Sequence, residues 1–383
     1  MSVNRVATFD GPGAPAVMTE VAYPAPGPSA ALVRVIACGL DIADVRLHAG
    51  RGGAGGDGPM MLGRHFVGAV EALGSALATD STGNRLRPGT PVLIPSVVPC
   101  GRCDHCRRPS QRSGPCLEPV RLGAGQSAGD RSCLVAGLAE AVLLDLAELP
   151  CASIHPVPLT MPMWLATLVE PFAACLRSLG RAQELGRMRA GGSLVVYGTS
   201  AMTLLTVAAA LELGVGRVIV VGGPDSPGLR LARLFGAEAT IDSTDVQSAD
   251  ERNLIVRETV GGRGADLAIC CDGDPSPMAE ALSVLREGGT LIDSGPAFAA
   301  PAAAVPWHDV RARDLVILGS DGFVPDDIPV AIHLLYRARD RYPFAALHQR
   351  FPFTAQGIAA ALACVSDGLA PRTLVVTRPD LVG

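Results

Sequence analysis

The stretch that most constrains the fold spans residues 192–242. Residues 194–197 are apolar and rich in β-branched side chains, which predicts a buried parallel strand. A turn at Gly198 and a helix over residues 202–213 follow, and residues 218–221 predict the next strand. A strand, a helix and a strand within about 30 residues form a βαβ unit with a right-handed crossover. This unit predicts an α/β fold with a doubly wound parallel sheet, in which a ligand binds beyond the carboxyl ends of the strands.

The rest of the chain predicts a second, β-rich domain. Its 383 residues are 48% hydrophobic and 18% charged, which indicates a globular protein with a large core. Short apolar runs at 31–37, 67–70 and 91–98 alternate with Gly- and Pro-rich turns, and residues 51–58 predict a flexible loop. We therefore expect a β-rich domain over 1–157, a doubly wound domain over 158–300, and a return to the first domain over 301–383.

Further elements follow from the same patterns. The segment 165–185 is predicted to be mostly helical, with a break or a kink at Pro171, and 265–270 predicts another parallel strand. A helix is expected over 278–286, before a strand at 290–293. A strand at 315–318 and helices at 328–339 and 354–367 complete the prediction.

Composition argues against several classes of function. The net charge of −5 offers no electrostatic basis for binding nucleic acid. No apolar window long enough for a transmembrane helix occurs, and the first residues lack the apolar segment of a signal peptide, so we expect a cytoplasmic protein that does not bind membranes. The chain contains no lysine, which excludes Schiff-base chemistry.

Four cysteines form the strongest local motif. Cys100, Cys103, Cys106 and Cys116 lie within 17 residues, in a chain that has 11 cysteines. Four thiolates at such spacing favour a closed, structural zinc site over four unrelated surface cysteines.

Several motifs together resemble the zinc-containing medium-chain dehydrogenase/reductase family, the alcohol dehydrogenase-like proteins. They are Cys38-Gly39, the four-cysteine lobe, Val169-Glu170-Pro171, the βαβ unit and residues 262–266. The resemblance covers nearly the whole chain and implies a GroES-like first domain, a Rossmann-type second domain and a homodimer or homotetramer. Residues 342–344 and 351–353 also resemble a subgroup associated with phosphonate catabolism.

The resemblance implies a second, catalytic zinc ion held by a cysteine, a histidine and a later cysteine or glutamate. Cys38 matches the first ligand and Glu170 the third. In residues 62–68, however, Arg64 occupies the histidine position and His65 the position after it. An arginine stays protonated and does not ligate zinc.

Two arrangements of this altered site are open. In one, His65 turns inward and restores a zinc site with Cys38 and Glu170. In the other, the metal is absent and the Arg64 guanidinium replaces it, paired with Glu170 or Asp41. A cation that replaces a cation preserves the charge balance, so we favour the second arrangement.

The proton relay that the family carries is altered as well. Asp41 is present, but Leu40 replaces a hydroxyl side chain and Ala43 replaces a histidine, so His48 is the candidate substitute. A cluster of cations near one cleft predicts an anionic small-molecule substrate, and its members are Arg46, His48, Arg51, Arg64 and His65.

The dinucleotide fingerprint is also degraded. Gly198 supplies its first glycine, whereas Ser200 and Thr203 stand at the second and third positions. Gly222 replaces the acid expected at the ribose, and Asp225 is a candidate to bind the ribose from a shifted loop. We expect NAD or NADP to contact Gly198, Ser200, Ala201, Met202, Gly222, Asp225 and Arg230.

The sequence therefore predicts an NAD(P)-dependent oxidoreductase that acts on a small, anionic alcohol or carbonyl compound. Its catalytic candidates are Cys38, Asp41, His48, Arg64, His65 and Glu170. The alternatives are a non-redox lyase or isomerase and a catalytically degenerate protein on the same fold.

Overall fold

The computed structural model describes residues 3–51, 59–77, 79–80, 83–107, 116–127, 135–147, 149, 154–223, 227–273, 276–295 and 304–383. The chain divides into two compact units. The first comprises Met1–Glu170, Val324–Tyr336 and Leu347–Gly383, and the second comprises Pro171–Phe323 and Arg337–Ala346. Most of the loop expected at 51–58 lies outside the described residues.

The first unit begins with eleven short strands among the residues described. These are β1 (Val3–Phe9), β2 (Ala16–Ala22), β3 (Ala30–Leu40), β4 (Met60–Leu62), β5 (His65–Leu73), β6 (Pro91–Leu93), β7 (Val97–Val98), β8 (Val120–Arg121), β9 (Ala124–Ser127), β10 (Ala141–Asp145) and β11 (His155–Pro156). Three short helices interrupt them: α1 (Ile42–His48), α2 (Asp104–Arg107) and α3 (Met163–Ala166).

Next in the chain comes α4 (Val169–Glu184), and after it strands and helices alternate. They are β12 (Ser193–Tyr197), α5 (Ala201–Glu212), β13 (Arg217–Gly222), α6 (Pro227–Leu234), β14 (Ala239–Asp242), α7 (Ala249–Thr259), β15 (Ala265–Cys270), α8 (Met278–Ser283), β16 (Leu285–Asp293), α9 (Trp307–Ala312) and β17 (Val316–Gly319). The remaining elements are α10 (Asp327–Ala338), β18 (His348–Pro352), α11 (Ala355–Ser366) and β19 (Arg372–Val376).

Strand β3 is the centre of the first unit. It pairs with β5, β19 and β10 in a seven-stranded sheet. On one side β5 is followed by β6 and then β11, and on the other side β19 is followed by β18. A second sheet has the order β2-β1-β4-β9. Phe9, Leu62, Phe66, Ile94 and Leu122 belong to the buried cluster that these strands form, and each is almost fully excluded from solvent. This architecture confirms the predicted β-rich domain.

The second unit contains a parallel six-stranded sheet in the order β14-β13-β12-β15-β16-β17. Its inner strands are buried on both faces, as the continuous apolar runs predicted. The order reverses between β12 and β15, which makes their carboxyl ends the switch point of the sheet. The predicted Rossmann-type doubly wound fold is confirmed.

Residues 337–346 belong to the second unit because they pack on it through aromatic and ionic contacts. Tyr342 stacks on Phe235 with ring centroids 6.1 Å apart. Arg337 and Arg341 both pair with the carboxylate of Glu212, at 2.9 and 2.6 Å. The domain boundaries expected at 157/158 and 300/301 both precede the boundaries of the compact units.

Two predictions of local structure were wrong. Pro171 does not kink a helix, because it lies in the first turn of α4, where no intrahelical N–H donor is needed. The helix expected over 278–286 ends at Ser283, and β16 begins at Leu285. There Leu285 joins the ladder opposite Ala265, so strand pairing overrides local helix propensity. No described helix combines the length and the hydrophobicity that crossing a bilayer requires.

The first unit should lose stability on mild acidification because of His155. Burial lowers the pKa of this side chain from 6.5 to about 4, so the folded state favours the neutral ring. Its contribution to stability is complete above pH 6.5 and is lost as the pH falls towards 4, by up to about 1.4 kcal/mol per pH unit.

We expect His155→Gln to flatten the dependence of the thermal unfolding midpoint on pH between about pH 7 and about pH 5. His308, which is exposed, provides the matched control His308→Gln. An equal slope in wild type and His155→Gln would contradict the assignment.

Candidate active site and cofactor site

A buried polar cluster lies at one end of the central strands of the first unit. Gly39, near the end of β3, pairs with His65 of β5, and Leu40 pairs with Thr373 of β19. Helix α1 begins directly after β3, so its first turn lies at the same place. Four elements therefore converge, and each contributes a charged or titratable side chain.

Asp41 caps helix α1. Its Oδ1 accepts a hydrogen bond from the Ala43 amide at 2.9 Å, and the Asp41 amide donates to Asp44 Oδ2 at 3.0 Å. This reciprocal pair is a capping box, which satisfies two amides that a helix start would otherwise leave free. Asp41 therefore has a structural role that the sequence analysis did not assign.

The Arg64 guanidinium pairs with the two aspartates of this cap. Its NH2 group donates to Asp41 Oδ1 at 2.9 Å, and its Nε donates to Asp44 Oδ1 at 3.1 Å. Asp44 is fully buried, so its carboxylate requires such a partner. Burial alone would raise the pKa of Asp41, but the positive charge of Arg64 and the other partners of this carboxylate together outweigh that effect. The pKa of Asp41 therefore falls below its usual range.

His65 lies between two carboxylates. Its Nδ1 is 3.4 Å from Asp41 Oδ2, and its Nε2 is 3.4 Å from Glu170 Oε1. Ser96 donates to Glu170 through its amide at 2.8 Å and through its hydroxyl. Although burial favours the protonated acid, His65 and Ser96 outweigh it and lower the pKa of Glu170. A buried row of polar groups therefore runs from Ser96 to Asp41, and within it His65 Nδ1 makes no hydrogen bond.

Arg372 is a member of the cluster that the sequence analysis missed. It is fully buried at the start of β19 and donates to Asp41 Oδ2 and to the Thr167 carbonyl, at 3.4 and 3.3 Å. A Cβ atom on Gly39 would lie 2.4 Å from its NH2 group, so glycine is required there. The sequence signal was a lone charge at the head of an apolar strand. Ser96 and Asp44 carried no comparable signal.

The donor set does not fit a catalytic zinc ion. Cys38 is fully buried and pairs in the β3–β5 ladder opposite Phe66. Among the described residues, Cys38 belongs to neither group of potential ligands whose donor atoms lie close together. One such group is Asp41, Asp44 and His65, but Arg64 already pairs with both of its aspartates. His65 has turned inward, yet towards Asp41 and Glu170.

Of the remaining members of the predicted cation cluster, Arg46 and His48 lie in the last turn of α1. His48 bonds through Nε2 to the Ala14 carbonyl at 2.7 Å, and its ring packs edge-on against Phe9. Arg51 is exposed. The structure thus brings together Asp41, Arg64, His65 and Glu170, and it holds His48 through other contacts.

The four-cysteine lobe fits a structural zinc ion. The sulfur atoms of Cys100, Cys103, Cys106 and Cys116 lie within 4.8 Å of one another, and Cys103 Sγ is 3.5 Å from Cys106 Sγ and 3.9 Å from Cys116 Sγ. A tetrahedral zinc–thiolate centre requires separations of about 3.8 Å. Hydrogen bonds from backbone amides, led by that of Leu117, lower the pKa of Cys103 to about 6, which favours the thiolate.

The dinucleotide fingerprint of the second unit lies at the carboxyl end of β12. Gly198 has φ +142°, and a Cβ atom there would lie 2.5 Å from Thr203 Oγ1. Ser200 is the N-cap of α5, and Thr203 is fully buried. Asp272, two residues after β15, accepts hydrogen bonds from the Thr199 amide at 2.8 Å and from the Ser200 hydroxyl at 2.5 Å. The sequence analysis did not single out Asp272.

Gly222, which stands where the ribose-binding acid was expected, packs closely against Thr199. A Cβ atom on Gly222 would lie 2.4 Å from the Thr199 methyl carbon, and one on Gly228 would lie 1.8 Å from the Thr199 carbonyl oxygen. Position 228 therefore requires glycine, whereas a larger residue at position 222 would have to displace the Thr199 methyl group. Arg230 is exposed on α6, and Asp225 lies outside the described residues.

Comparison with known proteins agrees with this architecture. A family model described as the alcohol dehydrogenase GroES-like domain matches residues 27–153, and one described as zinc-binding dehydrogenase matches residues 201–337. The chain is similar to 5-exo-hydroxycamphor dehydrogenase of Pseudomonas putida, with 29% identity over 354 residues that cover 91% of this chain and 90% of that protein.

Two solved structures share the fold. An alcohol dehydrogenase from Thermotoga maritima has a TM-score of 0.87 and 21% identity, with 98% of this chain and 100% of that chain covered. A protein from Sinorhizobium meliloti 1021, described as a zinc-binding dehydrogenase and bound to NADP, has a TM-score of 0.78 and 24% identity, with the same coverage. The chain thus belongs to the zinc-containing medium-chain dehydrogenase/reductase family, the alcohol dehydrogenase-like oxidoreductases.

Proposed function

We propose that this protein interconverts a small alcohol and a carbonyl compound with NAD or NADP, at a reaction centre that lacks a catalytic zinc ion. The observation that carries the proposal is the position of His65 between Asp41 and Glu170, where the family resemblance implied a metal. The second unit supplies the dinucleotide site, and the four-cysteine lobe holds the one zinc ion.

His65 transfers the proton in this proposal. A dinucleotide held at Gly198 and the start of α5 would supply hydride exchange with the alcohol or carbonyl carbon. The hydroxyl proton passes to His65 on oxidation and returns from it on reduction, so atoms and charge balance. Glu170 at Nε2 and Asp41 near Nδ1 flank the ring and fix its position in the cluster.

Charge balance supports this role. Three carboxylates, those of Asp41, Asp44 and Glu170, face the two guanidinium groups of Arg64 and Arg372. The ionised carboxylates thus outnumber the guanidinium groups by one. A positive charge that develops on the His65 ring during proton transfer would therefore face net negative surroundings.

The charge of the substrate is a separate question. The predicted anionic substrate depended on free cations, but Arg64 is neutralised by Asp41 and Asp44. Arg64 therefore offers no free positive charge to an anionic substrate. Assays should compare neutral secondary alcohols with matched phosphorylated alcohols.

The oligomeric state, a homodimer or a homotetramer, stays a prediction.

Dinucleotide binding tests the redox proposal directly. Titration of the protein with NADH and NADPH should change the nicotinamide fluorescence in a saturable way, since the Gly198 turn and the start of α5 present amides to a pyrophosphate. Binding of neither dinucleotide would contradict the redox function and favour the non-redox alternatives.

Replacement of His65 by glutamine should remove proton transfer, and the thermal midpoint of the variant establishes how far the cooperative cluster is retained. We expect His65→Gln to lower kcat by about 10²–10⁴-fold on the best substrate, with little change in dinucleotide affinity. His308→Gln is the matched control, because His308 is exposed in the second unit. A kcat within a factor of three or so of wild type in His65→Gln would exclude His65 as the proton donor.

Zinc content distinguishes the two site arrangements. We expect one zinc ion per chain in the wild type and none in Cys103→Ser, which should also lower the thermal midpoint by roughly 10 °C. The control Cys38→Ser should retain one zinc ion, because Cys38 ligates no metal in this proposal. Two zinc ions in the wild type, one of them lost in Cys38→Ser, would show a conventional catalytic metal site.

A further inference from the structure

Two carboxylates link the neighbouring strands β12 and β15 at their opposite ends. At the start of the strands, Asp266 accepts hydrogen bonds from the Ser193 amide and hydroxyl at 2.9 and 3.0 Å. Beyond the carboxyl ends, Asp272 accepts them from the Thr199 amide and the Ser200 hydroxyl. The two links are similar in form, but only the second lies at the switch point of the sheet.

Asp272 binds the segment in which a Rossmann-type fold holds a dinucleotide phosphate. Its amide donor, Thr199, directly precedes Ser200, the N-cap of α5. The amides at a helix start carry partial positive charge and bind anions, as pyrophosphate groups do in Rossmann-type folds. We call the segment Gly198–Thr203 the phosphate cradle. Its Thr199 amide and its Ser200 and Thr203 hydroxyls all point to the Asp272 carboxylate, at 2.8, 2.5 and 3.5 Å.

The cradle also has little spare room on that side. A Cβ atom on Gly198 would lie 2.8 Å from both Cγ and Oδ1 of Asp272. A second anion at these donors would meet the carboxylate at short range, and two negative charges there repel each other strongly at low effective dielectric.

We propose that Asp272 is a built-in anion which occupies the phosphate cradle, and that the pyrophosphate of NAD or NADP binds only by displacing it. The carboxylate thereby sets the dinucleotide affinity of the chain. This inference rests on the proposed dinucleotide site but concerns a residue that the proposed reaction does not use.

The carboxylate is suited to displacement. Burial raises the pKa of Asp272 despite its hydrogen bonds, so the folded protein stabilises this charge less well than water does. Displacement towards solvent regains hydration and frees the donors for the ligand. The free-energy difference between the cradle occupied by the carboxylate and the cradle occupied by pyrophosphate is then small. Which of the two anions occupies the cradle depends on the dinucleotide concentration.

The test compares NADH and NADPH affinity in wild type, Asp272→Asn and Asp272→Ser by nicotinamide fluorescence. Asparagine keeps the size of the side chain and removes its charge, whereas serine opens the cradle. Both variants should bind dinucleotide at least about tenfold more tightly than wild type. Inorganic pyrophosphate should compete with NADH more effectively in the variants.

Asp266→Asn is the matched control, because it weakens the same kind of link between the same strands at their other end. It should lower the thermal midpoint and leave dinucleotide affinity unchanged. Circular dichroism of each protein without ligand establishes that the fold is retained.

The possible results separate this inference from the proposed function. Dinucleotide affinity that is equal or weaker in both Asp272 variants overturns the inference, while binding by the wild type upholds the redox function. Binding by the variants alone upholds the inference and overturns the redox function of the natural chain. Binding by none of the proteins overturns both.

Discussion

The carboxylate of Asp41 is the contact on which the polar centre of the first unit depends. It caps α1, accepts hydrogen bonds from Arg64 and Arg372, and lies beside His65. These partners come from different elements, so one side chain fixes the relative placement of a helix and two strands. Buried charges are tolerated only when they are paired, and loss of one member leaves the others uncompensated. The cluster is therefore a single cooperative unit.

This network is the physical basis of the metal-free centre that we propose, in a fold whose relatives include zinc-binding dehydrogenases. A metal ion contributes positive charge and polarises an oxygen atom. Here Arg64 and Arg372 contribute the charge, while Asp41 and Asp44 hold them in place. What remains for chemistry is His65 with Glu170. The reaction we propose thus relies on proton transfer and orientation, which a histidine between carboxylates supplies.

Sequence patterns predicted the elements whose signals are local. Buried runs such as β12 and β15 and the glycine turn at Gly198 follow from neighbouring residues alone. The site was harder, because its key contacts join distant positions: Ser96 and Glu170 are 74 residues apart, and Asp41 and Arg372 are 331 apart. Motif comparison identified Asp41, Arg64, His65 and Glu170, but it could not show which charges pair. That outcome depends on tertiary packing.

The close contact between Gly222 and Thr199 restricts how this lineage can change. A Cβ atom at position 222 would lie 2.4 Å from the Thr199 methyl carbon, so an acidic residue there requires that this methyl group moves or is lost. Replacement of Thr199 by a residue without a γ-methyl group removes the contact and keeps the hydrogen bond to Asp272, because that bond uses the backbone amide alone. The effect of an acid at position 222 therefore depends on the residue at position 199, so regain of a ribose-binding acid is an epistatic change.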